Sequence, residues 1–282
     1  MFLSVAIILA NNSSFYPEPL TLESFVKQVR RADYKGDIPV LQCLYTLSEA
    51  LLVDGKRSGL VRYWRGFALW RKAMNGFNEK ADHEKYGVDL EMAVTEFALS
   101  VAADPNMVDS KIGKAACLMN LTFLSSSNQA KASKYVSVFV PLMKEAEAQD
   151  PLNARLYWVK GPMLWYIPED RGGGEKRAFE AYEFGFRILA KSKTMDPDSV
   201  VPAWGEAELL MNRAWAKLHA VPHQADAAEI DARKALKLVP YWHYLRDILL
   251  PEIEKAKMTI SENELSYEEQ KETKNHAKSY AF

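Results

Sequence analysis

The sequence predicts an all-α fold, an α-solenoid of antiparallel helix pairs, on three observations. Gly and Pro number only 13 each in 282 residues, and the β-branched alternating runs that make strands are scarce. Three Asp-Pro pairs, Asp104-Pro105, Asp150-Pro151 and Asp196-Pro197, stand 46 residues apart, and a fourth break, Val239-Pro240, follows 43 residues on. Small and large apolar residues also recur at fixed offsets from those prolines. A constant period of this size marks stacked supersecondary units, none of which can bury its apolar face without a neighbour.

In chain order, residues 1–20 hold an apolar run, MFLSVAIILA, followed by polar NNSS. That is the pattern of a secretory signal, and it predicts a periplasmic or secreted protein. No Lys or Arg precedes the run, and Ile8 is not the small residue that cleavage prefers. The alternative is therefore an N-terminal element docked on the body of a cytoplasmic protein. The run is too short to span a bilayer, which takes about 20 apolar residues. Apolar stripes at 22–32 and 38–53 read as capping helices within 21–56. The repeats occupy 57–257, closed by a helix at 244–257 that has the polar face a terminal unit needs. Residues 258–282 are a polar, charged tail.

Within the repeats, three positions before each proline share one helical face. They are Ala93, Phe97 and Ser100; Phe139, Met143 and Ala146; Gly185, Leu189 and Ser192; and Ala228, Ala232 and Ala235. Their four-then-three spacing fits an apolar stripe on which small residues admit a neighbouring helix. After the prolines a second set recurs: Ala115, Leu118, Met119; Gly161, Leu164, Trp165; Ala207, Leu210, Met211; with Gly66, Leu69, Trp70 earlier in the chain. Leu118, Leu164 and Leu210 are thus expected in equivalent buried positions. Pro141 and Pro162 fall inside two of these helices, and each predicts a kink or a restart, because an interior proline costs ~3 kcal/mol.

These residues carry a resemblance to the tetratricopeptide (TPR) repeat family. In that family the first helix has a small residue at its eighth position, which Gly161 matches. The second helix has a small residue and a large aromatic, as at Ala93 and Phe97, and a proline closes the unit, as do Pro105 and Pro151. The likeness covers roughly 57–257. The period departs from the family's, about 46 against about 34, which places the extra length in the joins at 75–88 and 166–175. The stretch NARLYWVKGPMLWYIPEDRGGGEKRA, with Trp204-Gly205 downstream, also looks like a group of bacterial periplasmic or envelope repeat proteins.

Charge and motifs narrow the chemistry. Thirty-six Lys and Arg against 37 Asp and Glu leave a net charge of -1, without the basic footprint that nucleic acid requires. Cys43 and Cys117 lie far apart in apolar contexts and make no disulfide framework. The glycines at 172–174 could cradle an anion at a helix start, but no strand precedes them and no Lys-Ser or Lys-Thr follows, so they read as a join. His219 and His223 have the spacing of a zinc pair, yet Pro222 interrupts the helix that the pair would need. Asp82, His83 and Glu84 are adjacent and read as a loop tip. No metal, cofactor or catalytic constellation is predicted.

The favoured reading is a non-catalytic scaffold binding a peptide or protein partner on its concave face. The alternative is a small-ligand-binding accessory of a transport system, and an unrecognised enzyme is the third. The TPR resemblance implies groove-facing positions on each first helix. Counting from Pro151 assigns Arg155, Trp158, Trp165 and Tyr166 to the groove, and counting from Pro197 adds Trp204. Aromatic and Arg side chains are those most enriched at binding hot spots.

Overall fold

Thr21 and Ser24 start the first helix by exchanging side chain and backbone in a capping box. The helix ends at Gly36, whose φ of 68° lies in the left-handed region that a Cβ disfavours. The computed structural model describes residues 20–53, 55–80, 83–191 and 199–259. The signal-like run, Asp82, the Asp196-Pro197 pair and nearly all of the polar tail lie outside the described residues. The described helices are α1 Leu22–Lys35, α2 Ile38–Leu47, α3 Ser58–Asn78, α4 His83–Ala103, α5 Val108–Leu124 and α6 Gln129–Gln149. They continue with α7 Ala154–Tyr166, α8 Glu175–Lys191, α9 Glu206–His219 and α10 Ala225–Leu238. A last helical stretch, α11, covers 243–259 and contains a π-helical segment at Tyr244–Leu249. The described residues form no strand.

Four pairs, α3/α4, α5/α6, α7/α8 and α9/α10, make up the body. Their contacts show antiparallel packing. Ser100, late in α4, donates to the carbonyl of Gly59, early in α3, at 2.6 Å. Lys111 of α5 reaches Gln149 at the end of α6 at 2.7 Å. Arg213 of α9 pairs with Asp231 of α10 at 2.7 Å, and Lys217, one turn further on, reaches back to the carbonyl of Ala227. Close approach rests on the small residues of the repeat: Gly66 lies against the Phe97 ring, and a Cβ on Gly161 would overlap the Tyr182 ring.

Most of the register read from the sequence is the register of the core; of the set before Pro197, Leu189 is only half-buried and Ser192 lies outside the described residues. Ala93, Phe97, Ser100, Phe139, Met143, Ala146, Ala228, Ala232 and Ala235 are all buried, as are Leu69, Leu118 and Leu210. Leu164 is only half-buried, because α7 ends two residues beyond it and the following loop folds back, Gly174 N–H donating to the Leu164 carbonyl at 2.9 Å. The expected long joins are corrected too. The segment after residue 75 is mostly helix, α3 and α4 each running to 21 residues, so in that pair the added period lengthens the helices. The join between α7 and α8 contains a single 3-10 turn, Glu169–Arg171. Both interior prolines sit in continuous helices, Pro141 in α6 and Pro162 in α7.

The stack also closes upon itself. Tyr34 of α1 donates its hydroxyl to Glu208 of α9, the Trp64 indole of α3 donates to the Val200 carbonyl at 2.6 Å, and His243 of α11 meets Glu79, just past α3, at 2.6 Å. These contacts bring the first and last units together around a shared interior.

Candidate functional site

The first helices of the four pairs, with parts of α4, α8 and α11, enclose a chamber of about 290 Å³. Four of its wall residues share one register. Arg71, Asn120, Tyr166 and Asn212 each follow the large apolar position of the repeat, and each lines the chamber. The repeat therefore brings one residue from every first helix to the same interior.

The amide of Asn212 is held by a consequence of Pro162. A proline has no N–H to give to the carbonyl four residues back, which here belongs to Trp158. Asn212 Nδ2 donates to that carbonyl at 3.0 Å. Asn212 also lines the chamber. Among the described residues lining the chamber, Arg71 alone is charged. Its Nε donates to Asp33 at 2.8 Å, and Asn75 donates to the same carboxylate at 3.0 Å. Burial raises the hydroxyl pKa values of Tyr182 and Tyr244, so these phenols stay neutral.

Trp70 and Trp158 form part of the wall, with ring centroids 5.2 Å apart. Both indole N–H groups are buried without an acceptor among the described residues. A buried donor left unmet costs about 1–3 kcal/mol, so the wall holds unfilled hydrogen-bonding capacity. The mouth is aromatic. Phe77 (40% exposed), Phe123 (55%) and Tyr166 (62%) stand at or near the ends of α3, α5 and α7 and line the opening. Tyr166 lies 6.0 Å from Phe123 and 6.4 Å from Trp215, which stacks on His219 at 4.2 Å.

The five groove residues predicted from the register divide four ways. Tyr166 is at the mouth. Trp158 lines the chamber but is buried, edge to face with Trp204 at 5.1 Å. Trp165 is half-buried against Phe179 and Trp215. Arg155 and Trp204 lie instead inside the body: Arg155 pairs in bidentate fashion with Asp109, its Nη2 at 2.9 Å from Oδ2, and donates to the Trp204 carbonyl at 3.2 Å. The Trp204 indole in turn donates to Tyr63 at 3.1 Å. The count from Pro197 failed because Trp204 precedes α9, so it falls on a loop and not on a helix face. Asn120 and Asn212 were missed, although they stand two full periods apart, directly after Met119 and Met211.

The other candidates resolve locally. The amides of Gly172, Gly173 and Gly174 are spent on the carbonyls of Glu169, Pro168 and Leu164, leaving none aimed at an anion. His219 and His223 each engage a backbone carbonyl, of Trp215 and Leu218 respectively. Cys117 is buried, Cys43 is partly so, and both are free thiols.

A solved structure, that of a thermophilic TPR protein from Thermus thermophilus, superposes on this chain with a TM-score of 0.55 at 15% identity, covering 84% of this chain and 100% of that one. The chain has a TPR-like fold. At that identity the likeness speaks for the architecture alone. Neither a family profile nor a curated protein sequence matches the chain. Among its described residues the TPR-like frame has no helix long and apolar enough to cross a membrane, and no group of three His, Cys, Asp or Glu placed to hold a metal.

Proposed function

We propose that this protein is a non-catalytic TPR-like scaffold that binds a peptide or protein segment at the mouth of the axial chamber. The observation that carries the reading is the run of exposed rings, Phe77, Phe123 and Tyr166, supplied by three successive first helices at the rim of an apolar cavity. Rings at a cavity rim contribute large contact area for little side-chain entropy. Selection from a displayed random peptide library tests it. Apolar or aromatic sequences should be enriched, and the double variant Tyr166→Ala, Phe123→Ala should bind them at least tenfold more weakly at an unchanged melting temperature. Enriched peptides that bind the double variant as tightly as the natural protein would place the partner elsewhere.

A further inference from the structure

We infer that the interior of the chamber is a binding site for a small uncharged molecule with an aromatic or alicyclic body and hydrogen-bonding atoms on its edge. The inference goes beyond the partner reading, since it concerns the interior and stands whether or not a peptide covers the mouth. Size comes first. A cavity of about 290 Å³ lies at the lower end of ligand pockets, roughly 300–1,000 Å³, which suits one or two fused rings.

Charge comes second. Among the described residues no carboxylate and no lysine lines the chamber, and its single cation, Arg71, is already held by Asp33. A charged guest would therefore lose its hydration without gaining a counter-ion. A neutral guest meets a wall built for it. Asn120 is half-buried, and Asn212, anchored by one N–H to the Trp158 carbonyl, keeps a second N–H and its amide oxygen among the polar groups of the lining. Trp70 and Trp158 both line the chamber, and their two buried indole N–H groups, which meet no acceptor among the described residues, are the donors that a guest's acceptor would satisfy. Met74, Met119 and Met211 complete the lining with side chains that adapt to the outline of a guest.

Three isosteric probes test the inference by titration calorimetry: 2-naphthylmethanol, 2-naphthylmethylammonium and 2-naphthoate. The neutral alcohol should bind one molecule per chain, at least tenfold more tightly than either ion. Asn120→Leu should weaken it about tenfold, the equivalent of one neutral hydrogen bond. Met211→Trp, which fills the chamber, should abolish it, and both variants should melt within a few degrees of the natural protein. An ion that binds as tightly as the alcohol overturns the charge argument. Undiminished binding by Met211→Trp overturns the site, and so does the absence of saturable binding by the alcohol. If Met211→Trp fails to fold, Ala116→Leu carries the same reading.

Discussion

Trp158 and Tyr166 belong to one helix and serve it differently. Trp158 is 6% exposed and packs against Trp70 and Trp204, whereas Tyr166 is 62% exposed at the mouth. Truncating the first should cost about 3–5 kcal/mol, as large aromatic deletions in cores do. Truncating the second should leave stability within about 0.5 kcal/mol. Chemical denaturation of Trp158→Ala and Tyr166→Ala checks both, and equal losses would mean that the burial contrast is wrong. His243 provides a pH-dependent counterpart. It bonds Glu79 and Asp247 at 2.6 Å each, and the hydrogen bond to Glu79, with help from Asp247, raises its pKa above 6.5. A histidine whose folded pKa is raised stabilises the fold fully below its unfolded pKa of about 6.5, and this stabilisation is lost as pH climbs through the folded value. Stability should therefore fall from pH 6 to pH 9, by less than about 1 kcal/mol for so exposed a pair. His243→Gln should remove that component, and an identical pH profile in the variant would contradict it.

At the scale of the element, α7 shows what a sequence can and cannot announce. Its apolar period and its small residue at Gly161 were legible because spacing alone determines which residues share a face. Its short span was not, since the half-burial of Leu164 follows from where the loop returns and not from any local preference. Leu118→Ala in α5 should therefore cost about 2–5 kcal/mol, and Leu164→Ala distinctly less. Urea unfolding of the two variants decides it, and a larger loss at Leu164 would show the repeat positions to be equivalent after all. Pro162 predicts a kink on local grounds. A consequence visible in the structure is a freed carbonyl answered from α9 by Asn212, a partner 54 residues away in sequence that no local rule reveals.

For the whole molecule, the decisive feature is closure. Tyr34 to Glu208, Trp64 to Val200 and His243 to Glu79 join the ends of the stack, turning an open groove into a chamber. The stacking itself was readable from the 46-residue period, but closure depends on the curvature summed over all the units, and a periodic pattern does not state its curvature. Arg155 likewise read as a groove residue while lying inside the body. The central claim is that the binding surface is the chamber and its mouth, supplied chiefly by the first helices, and not the outer faces of the stack. Methyl NMR on the protein labelled at methionine tests it directly, with a library-selected peptide as ligand. Met74, Met119 and Met211, which line the chamber, should shift on titration, while Met92 on α4 and Met258 in α11, both exposed, should stay in place. Shifts at Met92 or Met258 with the chamber methyls unmoved would contradict the account.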